Sequence, residues 1–373
     1  MTNLAIIFGA KSTEHEVSIV STLQALDWID RKKYKIFLIY IDNKNNSFLC
    51  PIPKKQEFKD FIKKVIESKN EIEFTKGGIK TGKILKKKIK IDAALLIMHG
   101  AYGEDGKIQG MLDFYDIPYT GSGVLGSSVC MDKVVSKRIF ESLNLPVVPY
   151  LWFWKEEFDK NEKEISKEIE KKFKYPVFVK PANSGSSVGI SKVKNKKELR
   201  KAIRKASMFD NKILVEQGLK NAVDINCAVM GSHNLKVSVC EQPLSEDEFL
   251  SFQEKYLKGG KTKGMAGLSR IVPAPIPKNV SSKIQETAKI AFREIGGFGM
   301  SRIDFLYQPK TKKFYINEVN TIPGSLAFYL WKATGIEPQS LIDEMVSIAL
   351  ERKREYSSLS YEFKSKILEK TEV

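Results

Sequence analysis

The 373-residue chain is 42% hydrophobic and 29% charged, the make-up of an ordinary globular protein with length for two or three domains. Lysine and arginine total 62 against 45 acidic residues, a formal charge of +17. Glutamates dilute the lysines on helical stretches such as 163–174 and no aromatics are interleaved to stack bases, so the excess reads as a basic surface suited to an anionic small molecule and argues against nucleic acid. Four cysteines without CxxC spacing and three histidines exclude a zinc or disulfide framework. The apolar run 93–98 is too short to span a bilayer, and the N-terminus lacks the charged start and long apolar stretch of a signal peptide. The expectation is a reduced, cytoplasmic protein with no membrane partner.

In chain order, residues 4–8 form an apolar strand ending at Gly9, 17–29 have helical spacing and 34–40 read as a second strand, the start of an α/β unit with a parallel sheet. Residues 42–89 are lysine-rich and read as an irregular surface insertion with a helix at 57–69. A buried strand at 91–98 is followed by the loop His99-Gly100-Ala101-Tyr102-Gly103-Glu104-Asp105-Gly106, where ligands bind in such sheets. A helix at 132–142, a strand at 176–180 and a helix at 196–207 follow. Then come strands at 212–216, 225–230 and 236–239, a long loop at 245–269, a helix at 280–295 and a hairpin, with a peripheral charged helix at 351–373. The units divide as 1–121, 122–211 and 212–373.

The hairpin pairs 301–306 with an arm that runs from 314 to 324. Side chains alternate faces, so Arg302 shares a face with Asp304, and Glu318 with Asn320. In one of two register parities all four point the same way, giving two carboxylates and an amide oxygen beside a guanidinium. Hard oxygen ligands suit Mg²⁺ or Mn²⁺ with phosphate; the alternative is a solvent-facing hairpin. Strand-ending Lys180 followed by Ser184-Gly185-Ser186-Ser187-Val188-Gly189 offers a charge, an N–H nest and hydroxyls for phosphate, or else a surface turn. The strand ending in Glu216 and Gln217 suits an adenine edge and ribose, or is a plain strand end, and Lys133 is equally a solvated helix lysine. Gly121-Ser122-Gly123-Val124-Leu125-Gly126 matches GxGxxG but lacks the preceding strand and following acid of a dinucleotide site. Gly259-Gly260-Lys261-Thr262 is no P-loop, because Lys255 stands where its first glycine is required.

Two phosphate lysines, a Gly/Ser loop, an acidic linker strand and an Asp…Glu-x-Asn hairpin, in this order, resemble the ATP-grasp enzymes. Residues 9–18, His99-Gly100 through Gly110, 118–123, Met131-Asp132-Lys133 and Gly185 to Gly189 resemble the D-alanine–D-alanine ligase family. The resemblance runs from residue 4 to about 350, outside the 42–89 insertion. It implies a three-domain α/β ATP-grasp fold with an N-terminal parallel-sheet domain, and ATP-dependent joining of two D-alanines through D-alanyl phosphate for peptidoglycan. ATP would be held by Lys133, Lys180, Ser187, Glu216, Gln217, Leu219, Asp224 and Lys255; the family usually has glutamate where Asp224 stands. Two Mg²⁺ or Mn²⁺ ions would be held by Asp304, Glu318 and Asn320. Glu14 would take the first substrate's ammonium and join Ser186 and Tyr256 in a network, while Arg302 and the Gly324 N–H stabilise the oxyanion. His99 would lie near the second substrate, and Lys255 and Tyr256 sit on a closing lid, 245–269. The chain departs from the family after Gly324: the serine that grips the second substrate's carboxylate is replaced by Tyr329, with Ser325 as a substitute. A homodimer is implied by the family alone. Two other readings stand: a ligase with D-lactate, D-serine or another amino acid as acceptor, and a non-catalytic ATP-binding module.

Overall fold

The computed structural model describes residues 1–53, 58–68, 70–82, 87–244 and 269–360. The first unit contains β1 (Thr2–Gly9), α1 (His15–Leu26), β2 (Tyr34–Ile41), β3 (Ser47–Cys50), α2 (Phe58–Ser68), β4 (Ile72–Thr75), β5 (Gly78–Thr81), β6 (Lys87–Lys90), β7 (Ala93–Ile97) and α3 (Lys107–Phe114). Its main sheet runs β3-β2-β1-β7, with β1 parallel to both β2 and β7. Because β1 is central and buried from Leu4 to Gly9, its sequence is an unbroken apolar run and not an alternating one. Gly9 ends the strand at φ 93, and a side chain there would strike the Ile41 carbonyl. The chain therefore turns sharply at the carboxyl end of the sheet and delivers Glu14 to the start of α1.

The stretch 42–89 corrects the expectation of an irregular insertion. Strand β3 pairs antiparallel with β2 and extends the main sheet, and β4, β5 and β6 make a small antiparallel sheet. Each of these strands is four residues long. Ile72 and Ile79 are buried, while Lys80, Lys87 and Lys88 are exposed.

The second unit contains α4 (Val124–Met131), α5 (Lys133–Ser142), β8 (Tyr150–Trp154), α6 (Lys155–Lys172), β9 (Val177–Pro181), β10 (Ser191–Val193), α7 (Lys196–Ala206) and β11 (Lys212–Gln217). Its antiparallel sheet has the order β10-β9-β11-β8. Helix α7 lays Leu199, Ala202, Ile203 and Ala206 against it, an i, i+3, i+4, i+7 stripe.

The third unit contains β12 (Val223–Gly231), β13 (Lys236–Val237), β14 (Gln242–Pro243), β15 (Arg270–Ile271), α8 (Lys278–Glu294), β16 (Gly299–Gln308), β17 (Lys313–Asn320), a 3₁₀ turn (Gly324–Ala327), α9 (Phe328–Ala333) and α10 (Pro338–Ser357). The sheet order is β13-β12-β16-β17, and α8 covers one face with Ile284, Ala288, Ala291 and Phe292. Helix α10 buries Leu341, Ile342, Met345, Val346 and Arg352; in the stretch expected to be peripheral, the described residues 351–360 are exposed or half-buried apart from Arg352. The Arg352 guanidinium donates to the carbonyls of Gly121 and Tyr119. Most of the expected lid, with Lys255 and Tyr256, lies outside the described residues, as does 361–373.

Candidate active site

The hairpin adopts the parity that gathers its polar groups. Arg302 lies opposite Asn320, and Asp304 opposite Glu318. A bulge between Asp304 and Phe305 leaves Asn317 as the extra residue, and its Oδ1 accepts from Lys180 Nζ at 3.2 Å. Bulges re-aim side chains in this way next to active sites. Arg302 donates from Nε and Nη2 to the two Asp304 oxygens at 2.6 and 2.7 Å, a planar fork on a carboxylate. Asn320 Nδ2 adds a bond to Asp304 at 3.0 Å, which leaves its carbonyl oxygen as the hard donor. Among the described residues no group of three or more His, Cys, Asp or Glu is set for a metal. The set here is two carboxylates and an amide oxygen across two paired strands, a donor chemistry that fits Mg²⁺ or Mn²⁺ completed by phosphate oxygens.

Facing the hairpin is a cluster of lysines. Asp132 caps α5 by accepting from the Val134 and Val135 N–H groups at 2.9 and 3.0 Å, and this fixes Lys133 at the helix start. Lys133 Nζ donates to the Ser184 carbonyl at 2.5 Å and lies 3.4 Å from Glu318. One helical turn on, buried Lys137 pairs with Glu216 at 2.7 Å, and Lys180 pairs with the same carboxylate at 2.5 Å. Burial alone would push the Glu216 carboxyl up, but the two ammonium groups overcome it and hold the group at about 2. For Lys180, burial opposes the charge, and Glu216 with the neighbouring carboxylates raises it above the ordinary value. A cavity bounded by Lys180, Ser187, Glu216, Leu219, Asp224 and Asp304 lies between the second and third sheets. Gln217 also reaches this cavity, but its side chain is turned back onto Lys174.

A second cavity abuts the first and shares Arg302 and Glu318 with it. Its walls include Glu14, His99, Glu104, Ser186 and Gly324. Ser186 donates its hydroxyl to Glu14, from a loop where Ser186 and Ser187 both have positive φ. A side chain at Gly185 would meet the Glu14 carboxylate, so a larger residue there would have to displace it. His99 is buried, and its ring bridges the Ile322 carbonyl at 2.8 Å and Ser21 Oγ at 3.0 Å. Burial and Arg302 outweigh the Ile322 bond and depress it to about 4. The ring is therefore neutral, with the proton on Nδ1, since a carbonyl can only accept. Glu104 accepts from the Gly100 and Ile322 N–H groups at 2.9 and 2.8 Å. Burial, then the Glu14 charge, push its carboxyl up to about 8 despite those two bonds.

The segment after Gly324 is wound the unusual way: Ser325, Leu326 and Ala327 have φ of 51, 49 and 46. Ser325 is turned onto α1, its hydroxyl donating to Gln24 at 2.7 Å, so it does not stand in for the family serine. Tyr329 instead has its hydroxyl 3.5 Å from Arg302 Nη1 and its ring under the Arg270 guanidinium, 3.5 Å from the centroid. Arg270 donates to buried Glu241 at 2.8 Å, and Asn226 Nδ2 donates to the other Glu241 oxygen at 3.1 Å.

The sequence reading thus missed Lys137, Glu104, Asn317, Glu241 and Arg270. Lys137 stands four residues after Lys133, a spacing that shares a helix face, and Glu104 stood inside a quoted motif. Asn317 depends on the bulge. Glu241 and Arg270 are brought together only by the short β14–β15 pairing, for which no local pattern exists.

Family profiles match residues 3–122 as D-ala D-ala ligase N-terminus and 139–347 as D-ala D-ala ligase C-terminus. The D-alanine--D-alanine ligase of Thermosipho melanesiensis is 40% identical over 365 residues, 96% of this chain and 97% of that one. Among solved structures, the D-alanine-D-alanine ligase from Coxiella burnetii superposes with a TM-score of 0.81 at 26% identity, covering 95% of this chain and 96% of that one. The VanG D-Ala:D-Ser ligase from Enterococcus faecalis does so at 0.80 and 29%, covering 93% and 99%.

Proposed function

The chain belongs to the D-alanine–D-alanine ligase family, with its ATP-grasp fold, and on that premise we propose how its residues divide the work of an ATP-dependent ligation of two D-alanines for peptidoglycan. The observation that carries the reading is the meeting of the two cavities at Arg302 and Glu318: one is walled by Lys180, Ser184, Ser187 and Glu216, the other by Glu14, Glu104 and Ser186. ATP lies in the first, with Lys133, Lys180 and Ser187 on its phosphates and Glu216, Gln217, Leu219 and Asp224 towards the nucleoside. The second holds D-alanine, its ammonium against Glu14 and its carboxylate towards the γ-phosphate.

The first step joins that carboxylate oxygen to the γ-phosphorus and breaks the bond to ADP. The second forms a bond from the amine of another D-alanine to the acyl carbon and expels phosphate. Both steps demand positioning and charge neutralisation above all. Divalent ions held by Asp304, Glu318 and Asn320, Mg²⁺ or Mn²⁺, would neutralise phosphate charge when bound. The chain's own contributions are the Lys133 and Lys180 charges, the Glu14–Ser186 bond that fixes the first substrate, and Arg302 with the Gly324 N–H at the developing oxyanion. Residues 1–121, 122–211 and 212–373 act as separate units around the clefts, with Lys255 and Tyr256 on a lid. A cytoplasmic homodimer completes the reading; no helix among the described residues is long and apolar enough to cross a membrane.

The test is phosphate release from ATP with D-alanine, against D-serine and D-lactate as competing acceptors. D-Alanine is expected to be preferred, and preference for another acceptor overturns the choice. Arg302→Ala is expected to lower kcat by about 10²–10³ while nucleotide binding persists. Binding of ATP without phosphate release under any acceptor would leave only a binding module.

A further inference from the structure

We propose that Lys137, which lines neither cavity, is a positioning residue of the nucleotide site: its charge takes up Glu216, so that the charge of Lys180 stays available to phosphate. This rests on the placement of ATP in the first cavity and gives a task to a residue that no motif contains. Lys180 and Glu216 both line that cavity, one wanted for phosphate and the other for the nucleoside. They also touch each other, at 2.5 Å. Left as a pair they would cancel, and a phosphate would meet a neutral couple. The rest of the wall does not make good the loss. Among the described residues its charged groups are Lys180, Arg302, Glu216, Asp224, Asp304 and Glu318, and Arg302 is forked onto Asp304. Acidic groups outnumber cations there, so the Lys180 charge has to be protected.

Lys137 stands behind the pair. Its Nζ lies 2.7 Å from Glu216 Oε1, while Lys180 Nζ holds Oε2. Two ammonium groups on one carboxylate leave the trio with a net charge of one. That surplus faces the cavity through Lys180, because the Lys137 side chain is only 1% exposed. Stability alone does not account for such a residue. Removing an ammonium from water costs about as much as a buried pair returns, and an apolar side chain of the same volume would serve the fold as well. The Lys137 flank of α5 is otherwise apolar, with Val134 and Phe140 buried. Burial draws the Lys137 ammonium below the ordinary lysine range, and Glu216 opposes that pull. A charge kept against burial, and aimed at the back of a cavity residue, is explained if its work is done on that residue.

The test is the preference of the site for phosphate: the affinity for ATP with Mg²⁺ relative to that for adenosine, titrated by calorimetry without D-alanine so that nothing turns over. Adenosine meets only the nucleoside groups, so a general loosening of the cleft moves both affinities and leaves their ratio. Lys137→Met keeps the length and removes the charge, and is expected to cut the preference for ATP by about tenfold. Adding Glu216→Gln to it restores the net charge of one and is expected to bring the ratio back to within about threefold of wild type. A packing role for Lys137 would give no such rescue. Glu216→Gln alone is expected to keep the ratio at or above wild type. If Lys137→Met does not fold, that variant decides, and a fall below wild type overturns the proposal. An unchanged ratio in Lys137→Met, or a lowered one that the double variant does not restore, overturns it too. Wild-type protein that binds ATP no better than adenosine overturns it together with the placement of phosphate on Lys180. The ligase reading is decided separately, by phosphate release with D-alanine.

Discussion

At the scale of single residues, two buried groups around the second cavity are shifted in opposite directions. His99 is depressed to about 4 from an ordinary 6.5. Its folded form binds the proton less well than the unfolded chain, so the stability it contributes is complete above pH 6.5 and is lost as pH falls to 4. Glu104 is raised to about 8 from 4.5. The folded form keeps a proton that the unfolded chain releases, so stability falls as pH rises from 4.5 to 8. Between pH 4.5 and 6.5 the two slopes cancel. From 6.5 to 8 only the Glu104 slope remains, at most roughly 1.4 kcal/mol per pH unit. Glu104→Gln is expected to flatten denaturant-derived stability across pH 6.5–8, at a cost of about 1–3 kcal/mol because one of the two N–H groups loses its acceptor. A slope that survives the substitution assigns the titration to another group.

At the scale of elements, the site is made by a hairpin register, a helix cap and a strained turn. The hairpin was legible: strand propensity, a polar turn and period two left only the parity open, and the core side of β16, with Ile303 and Phe305 buried, settles it. The small sheet β4-β5-β6 was not legible, because four-residue strands with lysine on the outer face look like loop composition. The turn at Ser325 to Ala327 was not legible either, since nothing in Ser-Leu-Ala signals positive φ, a conformation costing roughly 1–2 kcal/mol per residue. The surrounding packing imposes it: Leu326 and Ala327 are completely buried and Ser325 is tied to Gln24. A β-branched side chain tolerates φ of 46 far less well than alanine. Ala327→Val is expected to destabilise by about 2 kcal/mol or more and to raise the KM for the acceptor above that for ATP, because the turn carries Tyr329 but touches no nucleotide group. Equal effects on both constants would show that the turn supports the whole cleft and not the acceptor alone.

At the scale of the whole molecule, the first unit fastens the other two. Glu14 accepts from Ser186 of the second, while Glu104 and His99 bond Ile322 of the third, and across the main cleft Lys133 faces Glu318. These bridges are buried or nearly so, with side-chain exposures of 7% and 20% for the Lys133–Glu318 pair. Surface pairs such as Lys33–Asp343 are 49% and 30% exposed; they are screened by salt and contribute little. Raising salt from 0.1 to 1 M is therefore expected to cost little through these pairs, while screening the self-repulsion of the +17 charge is expected to raise the unliganded unfolding midpoint. Nucleotide binding changes the balance more. ATP at a hundred times its Kd adds about 2.7 kcal/mol, and because Arg302 and Glu318 wall both cavities, the proposed placement of nucleotide in the first and D-alanine in the second predicts that each ligand alters the other's site. The two ligands are then energetically coupled, and linkage makes the coupling reciprocal. Calorimetric titration of a non-hydrolysable ATP analogue with and without D-alanine should show tighter binding in its presence, by about fivefold or more. Glu14→Gln should abolish that enhancement while leaving the analogue's affinity in the absence of D-alanine within a factor of about two, since Glu14 borders only the second cavity. Affinity that does not respond to D-alanine in wild-type protein would mean that the two cavities work independently, and the shared hairpin would then be a wall between them and not a link.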